Sequence, residues 1–488
     1  MSKEYNIPAF GGIDQSRSEN RLDPGSSPDA CNMDTENGDL AVARGYVKHI
    51  PIAVPGTGPI RRLYIWRSLV TVRYIVIAGM QVYAWVDTDT TPSWKLIHTY
   101  AEESGRPAFS GLRWDFLECK IGNTDYLLIA NGERQIIKWD GISASASLFG
   151  SEANGSNARV NFLAMHYSRL FACGDMDHPS RLYWSQPPGD ERTIENWLSD
   201  EASENVGGGF VEVGETSGDP ITGLCALSNQ LLIFKRSSIF RLLGDRPSNY
   251  RVYRVHAEVE QMVDSGLILY GDTPFWMTNA GMYYHDGQTS QPMYNARQIR
   301  TILSGARLTM CKGAENRDRL YFSYREGGNN TNYLDNALIV YDVPNKTYMV
   351  RRGFTIADIF AYDGKMYLIN DARYIYRFDE GDTYDGVPIH AYWNTPLTDL
   401  NAKPGIKSLD EMYFRATGAQ DAILIDARIG KHVSNIRKLI PESEAEVVEI
   451  PLKNEGRVFS FKFSNEAGSR WTITGGVQIA YDLRPRTK

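Results

Sequence analysis

One pattern constrains this chain more than any other. A short β-rich run, a turn, and a second run carrying Tyr, Phe or Trp near a closing Asp or Gly recur seven times. The pattern reads YIVIAGMQVYAWVD at 74–87, YLLIANGERQIIKWDG at 126–141, RLFACGDMDHPSRLYWS at 169–185 and LLIFKRSSIFRLLGD at 231–245. It continues as PFWMTNAGMYYHDG at 274–287, RLYFSYREGG with ALIVYD across 319–342, and KMYLINDARYIYRFD at 365–379. A spacing of about 35 to 50 residues is that of propeller blades. One small twisted sheet cannot bury both faces alone, whereas radially packed sheets cover one another. Upstream segments such as 221–226 and 356–362 supply inner strands, so the expectation is an all-β chain: a β-propeller of six to seven blades over residues 48–385. An array of immunoglobulin-type modules would need about 100 residues for each pair of hairpins, which this spacing does not leave.

The repeat stops at the polar passage DEGDTYDGVP, 379–388. Beyond it, AILIDARI, EVVEIPL, VFSFKFS and WTITGGVQIAY alternate as antiparallel strands do, predicting a C-terminal β-sandwich over 389–488. Residues 1–47 are rich in Gly, Ser, Asn and Asp with few apolar runs, which predicts an extended N-terminal arm. Helix is scarce, and ARQIRTIL at 296–303 is its best short candidate.

Charge bears on function. The 488 residues carry 52 Lys plus Arg against 59 Asp plus Glu, a net charge of −7, opposite to the basic footprint of a protein that grips phosphate backbones. Residues 400–488 hold 14 basic and 11 acidic groups, so the excess of acid lies in the first 399. The sequence has neither a basic start followed by an apolar segment nor an 18-residue uncharged apolar run, so neither secretion by a conventional leader nor a spanning helix is expected.

Catalytic and metal signatures are sparse. Cys31, Cys119, Cys173, Cys225 and Cys311 lie far apart, and the eight histidines are scattered singly. Asp175, Asp177 and His178 read as a polar turn, and Asp379, Asp382, Asp385 and Gly386 lack the spacing and terminal Glu of a calcium loop, reading instead as a solvated linker. No G-x-S-x-G elbow occurs, and no Gly-Lys-Ser/Thr follows Gly207, Gly208 and Gly209. No enzyme activity, metal or cofactor is expected. The insertion PPGDERTIENWLSDEASENVGGG, 187–209, stands out instead, with six acids against Arg192. Its Asp200, Glu201 and Glu204 would repel phosphate, and Gly207, Gly208 and Gly209 would let the loop move, making it a candidate gating loop on a lumen; the other reading is an exposed loop on the outer wall.

The order of these parts, together with FGGIDQS at 10–16, SPDACNMDTENGDLAVARGY at 27–46, GLCALSNQLLIFKRSSIFRL at 223–242 and FSFKFSNEAGSRWTITGGVQIAY at 459–481, resembles the propeller proteins of tailed-bacteriophage tails. The resemblance is strongest to the nozzle, or packaged-DNA stabilisation, family of short-tailed phages. It implies a structural virion protein, made in the host cytoplasm, that forms a ring, a hexamer in that family, extending the DNA channel below portal and adaptor. Its implied partners are copies of itself, adaptor or head–tail connector proteins, tail fibre or needle proteins, and double-stranded DNA passing without sequence-specific contact. An acidic lumen fits, since it repels phosphate and lets DNA slide. Two other readings stand beside it: a tail-tip or adsorption component of a longer tail, and a non-viral propeller that binds or cleaves glycans.

Overall fold

The computed structural model describes residues 3–484 except 69–70, 87–91, 105–106, 190, 201–202, 204, 215–218, 256–265, 328–333, 403–404, 419–421, 430–431, 440–445, 467 and 469. Seven antiparallel sheets follow one another along the chain. Blade one is Ile60–Ser68, Thr71–Ala78, Gln81–Val86 and Ser93–Thr99; blade two is Asp115–Ile121, Thr124–Ala130, Ile137–Trp139 and Ser147–Leu148. Blade three is Phe162–His166, Arg169–Cys173, Arg181–Trp184 and Gly209–Glu212; blade four is Ile221–Ala226, Leu231–Lys235, Ile239–Leu243 and Arg251–Val255. Blade five is Ile268–Tyr270, Thr273–Thr278, Gly281–His285 and Ser290–Pro292; blade six is Gly313–Asn316, Arg319–Glu326, Asp335–Asp342 and Thr347–Ile356. Blade seven takes Asp358–Tyr362, Lys365–Ile369 and Ile375–Phe378 from the end of the repeat. Each of the seven hairpins is the second and third strand of one blade.

The first strands face the axis. Those of blades two and three, three and four, five and six, and six and seven touch, and blade seven returns to blade one, so the ring is closed. Second strands lie between neighbouring blades on both faces, which is why they read as continuous apolar runs: Leu127 to Ala130 and Leu231 to Ile233 are fully buried.

Blade seven obtains its fourth strand from the other end of the chain. Tyr46–Lys48 pairs antiparallel with Ile375–Phe378, Tyr46 opposite Phe378. This closes the ring by hydrogen bonds between the two ends of the propeller sequence and leaves no open seam.

The C-terminal region is a two-sheet sandwich. One sheet orders Met33–Asp34, Leu40–Val42, Trp471–Leu483, Lys407–Gly418 and Glu446–Gly456, with Lys3–Ile7 also on Trp471–Leu483. The other orders Ala30–Cys31, Tyr392–Asn394, Phe459–Asn465, Ala422–Ile429 and His432–Leu439. Phe459–Asn465 alternates buried and half-buried along its length, with Phe459, Phe461 and Phe463 facing inward.

Residues 3–47 are therefore extended but not a free arm. Their strands complete both sandwich sheets and run into the closing strand of the propeller. Pairing works through backbone N–H and C=O groups, which a polar sequence supplies as well as an apolar one. The polar passage 379–388 is solvated in part, at the exposed Asp382, Asp385 and Gly386, but it is packed rather than a free linker: Tyr384 is 3% exposed and stacks on Tyr46 at 5.2 Å, and Asp379 accepts the Tyr321 hydroxyl at 2.7 Å. The segment 296–303 forms a 3-10 turn, Ala296–Ile299, running into the short helix Arg300–Ser304.

Candidate functional site

The acidic insertion joins the third and outermost strands of blade three, so it lies at the rim of the propeller and away from the axis of the blades. Trp197, 4% exposed, and Ile194, 1% exposed, anchor it in the core between blades two and three. Of the carboxylates counted there, Glu195 is ion-paired to Lys138 of blade two at 2.6 Å, Glu191 is exposed and Asp200 half-buried; Asp190, Glu201 and Glu204 lie outside the described residues.

The three glycines answer to close packing. A Cβ on Gly208 would sit 2.5 Å from the Trp197 carbonyl carbon, one on Gly207 2.6 Å from the Asp200 nitrogen, and one on Gly209 2.8 Å from the Trp184 ring. The buried Arg169 donates to the carbonyls of Ser185 at 2.6 Å, Gly207 at 2.8 Å and Asn205 at 2.5 Å, and the Gly208 N–H donates to Leu198 O at 2.7 Å. This geometry fixes the segment's end and offers no support for a hinge. Gly208→Ala should cost about 1–3 kcal/mol through overpacking against main chain, read as a shift of the urea midpoint. A hinge glycine would instead leave that midpoint unchanged.

A second cluster lies near the axis, at the starts of the inner strands. Asp358 opens blade seven; its carboxylate accepts the Leu63 N–H of blade one at 2.7 Å and Arg62 Nε at 2.8 Å. Asp115 opens blade two and accepts the Leu163 N–H of blade three at 2.8 Å. Each also caps the amide of the residue after it, at 3.0 Å for Ile359 and 2.9 Å for Phe116. One device thus ties two blade junctions. Burial raises the Asp115 and Asp335 carboxyls to about 6. Burial, with Arg62 nearby, lowers the Lys312 ammonium to about 8. The two carboxyls are spoken for by blade packing: Asp115 holds the Leu163 amide, and Asp335 accepts the Ser323 hydroxyl at 2.5 Å, whose oxygen in turn accepts the backbone N–H of Lys312 at 2.7 Å.

A third constellation joins propeller, N-terminal segment and sandwich. Asn32, 3% exposed and at φ 54°, donates from its amide nitrogen to the carbonyls of Arg352 and His390, at 3.0 and 2.8 Å. Its amide oxygen accepts the Arg352 N–H at 2.8 Å and the Tyr384 hydroxyl at 3.1 Å. Asn tolerates this left-handed backbone better than most residues. Beside it, Asp34 receives a two-pronged contact from Arg319, at 3.0 and 3.1 Å, and a third from Arg351 at 3.1 Å. Sequence reading held Asn32 only as part of the stretch 27–46, without a role for it; the positive φ and the partners about 320 residues away are what make Asn32 specific.

Among the described residues no group of three or more His, Cys, Asp or Glu is placed to hold a metal ion, and no helix is long and apolar enough to cross a membrane. Asp175 accepts the Tyr183 hydroxyl at 2.7 Å and the Asp177 N–H at 2.9 Å inside a polar turn. The described cysteines are all free thiols.

No protein-family model matches the sequence, and no curated protein matches it. Among solved structures, the extracellular domain of a hybrid two-component system protein of B. thetaiotaomicron is similar at 12% identity and TM-score 0.43, over 83% of this chain and 47% of that one. The chain thus spans about half the length of that relative. The computationally designed Ika8 protein is similar at 6% identity and TM-score 0.39, over 67% of this chain and 98% of that one. The WD40 domain of Neurospora crassa Pan2 is similar at 10% identity and TM-score 0.38, over 70% of this chain and 94% of that one.

Proposed function

We propose that the chain is a structural virion protein of a tailed phage, copies of which form a ring that extends the DNA channel below portal and adaptor. The observation that carries this reading concerns where the resemblance lies. The segments 10–16 and 27–46, which are among those that resemble the phage family, are the ones that bind propeller to sandwich. Phe10 packs edge-on against Trp393 at 5.6 Å, the Ile13 N–H donates to Tyr348 O at 2.8 Å, and Asn32, Asp34 and Tyr46 hold blades six and seven. One core runs through blades five to seven, the N-terminal segment and the sandwich. A subunit so joined has its parts packed on one core, as suits a channel wall under internal pressure. The acidic balance of the chain supports passage of DNA without adhesion. The reading includes no catalysis.

Electron microscopy and light scattering of the purified protein test it. The expected result is a closed ring whose mass is a multiple of 55.0 kDa and which docks on the adaptor of its own particle. A monomer that ignores the adaptor and binds or turns over glycans would replace this reading with the third.

A further inference from the structure

Blade four breaks the acidic trend of the first 399 residues: positions 236–255 hold five arginines and one aspartate. Arg241 lies directly opposite Tyr253 across the last two strands, and Arg251 is two residues further along, so the three share one face. At the other end of that face Ile239 and Val255 are buried against Trp276 and Tyr283 of blade five. Tyr253 is 49% exposed and Arg251 is exposed, so blade five leaves this half of the face uncovered. Arg254, on the opposite face of the same strand, and Arg236, in the turn before the third strand, are exposed as well. Among the described residues none of Arg236, Arg241, Arg251 and Arg254 is ion-paired with a carboxylate; Arg251 reaches only the neighbouring Tyr250 carbonyl, at 2.8 Å. The connection 256–265 lies outside the described residues.

Tyrosine with unpaired arginine on an open outer strand is the composition of a protein–protein contact. We propose that this outer edge of blade four, with Arg241, Arg251 and Tyr253 on one face of its last strands and Arg254 on the other, docks against an acidic surface of the next copy of the chain. The occupant follows from charge. The rest of residues 1–399 is strongly acidic, so a second copy supplies the complement. Two such faces cannot meet each other, because arginine would oppose arginine. The contact is therefore head-to-tail, with different surfaces on its two sides, and a head-to-tail contact that closes makes a ring. The inference rests on the ring reading and specifies its interface.

The test compares the wild-type chain with an Arg241→Glu, Arg251→Glu, Arg254→Glu variant and with Tyr253→Ala, by analytical ultracentrifugation at low and raised salt. Circular dichroism and thermal midpoint serve as the fold control for the exposed Arg251, Tyr253 and Arg254 and the half-buried Arg241. The wild type is expected to form rings that loosen in raised salt. The triple variant is expected to stay at 55.0 kDa with an unchanged spectrum and midpoint, and Tyr253→Ala to associate at least tenfold more weakly at both salts. An Arg→Gln triple variant, uncharged at the same positions, should assemble more weakly than wild type if the charged variant fails to fold. Rings from the folded triple variant, or from Arg→Gln, identical to wild type overturn the docking face and leave the ring reading standing. A wild type that stops at dimers overturns the head-to-tail contact. Labelled duplex DNA that binds wild type but not the variant, with assembly unchanged, assigns the face to phosphate instead. A wild type that forms no ring even with its adaptor overturns the ring reading itself, and the interface with it.

Discussion

A chain lacking residues 3–48 is expected to fold in neither of its two parts. The deletion removes the fourth strand of blade seven, so the propeller loses the pairing of Tyr46–Lys48 with Ile375–Phe378 that closes it. It also removes Lys3–Ile7 and Leu40–Val42 from one sandwich sheet and Ala30–Cys31 from the other. Tyr5, Ile7, Phe10, Leu40, Val42 and Tyr46, each 6% exposed or less, leave the core with them. At about 1.5–3 kcal/mol for each large apolar side chain, the loss is on the order of 9–18 kcal/mol, comparable with the whole net stability of about 5–15 kcal/mol expected of a domain. Circular dichroism and limited proteolysis should report loss of cooperative unfolding, and the peptide 3–48 added in trans should restore part of it. A truncated chain that keeps a sharp thermal transition, with only the sandwich digested, would mean that the propeller closes without this strand.

Much of this architecture was legible in the sequence, and the reason is local. The second strand of every blade holds at least four consecutive buried residues, so YLLIA and LLIFK read as strands without tertiary information. The outermost strands were not legible. Ser147–Leu148 and Ser290–Pro292 are two and three residues long and half in solvent, which leaves no hydrophobic signature. Gly313–Asn316, the inner strand of blade six, reads GAEN and pairs through its backbone alone. The closing strand Tyr46–Lys48 is invisible for a further reason: three residues cannot declare a partner about 330 positions away.

The site was less legible than the fold. The insertion 187–209 stood out by length and charge, yet Glu195 serves Lys138 and the glycines serve Trp197, Asp200 and Trp184. Composition counts charges without showing which are already paired. The same blindness works in reverse at blade four, where the arginines of 236–255 disappear into a net charge of −7 although they share a single open blade. Asn32 and Asp34 stood in a stretch noted for its motif, but Arg319, Arg351 and Arg352 are brought to them by the fold, not by spacing.

Replacing Asp34 by Asn is expected to cost about 3–5 kcal/mol at neutral pH, the range for removing one partner of a buried ion pair. Arg351, 1% exposed, keeps the Met33 carbonyl at 2.5 Å, but the Asn amide offers one acceptor oxygen and no charge where the carboxylate offered two, so Arg319 loses its two-pronged contact and both guanidiniums lose their counter-charge. The pH dependence separates charge from packing. Burial alone would raise the Asp34 carboxyl, but Arg351 and Arg319 outweigh it and hold it below the usual 3.8. A carboxyl lowered by folding stabilises fully above its unfolded value, and that contribution is lost as pH falls through the folded one. Asp115 and Asp335, raised to about 6, act with the opposite sign: stability falls as pH rises from about 4 to 6, where the folded chain still holds protons the unfolded chain has released. Wild type and variant share those two groups, so they cancel in the difference. The gap in urea stability between wild type and Asp34→Asn should therefore be full at pH values near 7 and shrink once the medium is more acidic than the unfolded carboxyl. A gap of equal size at both extremes would assign the role of Asp34 to shape and hydrogen bonding rather than to its charge.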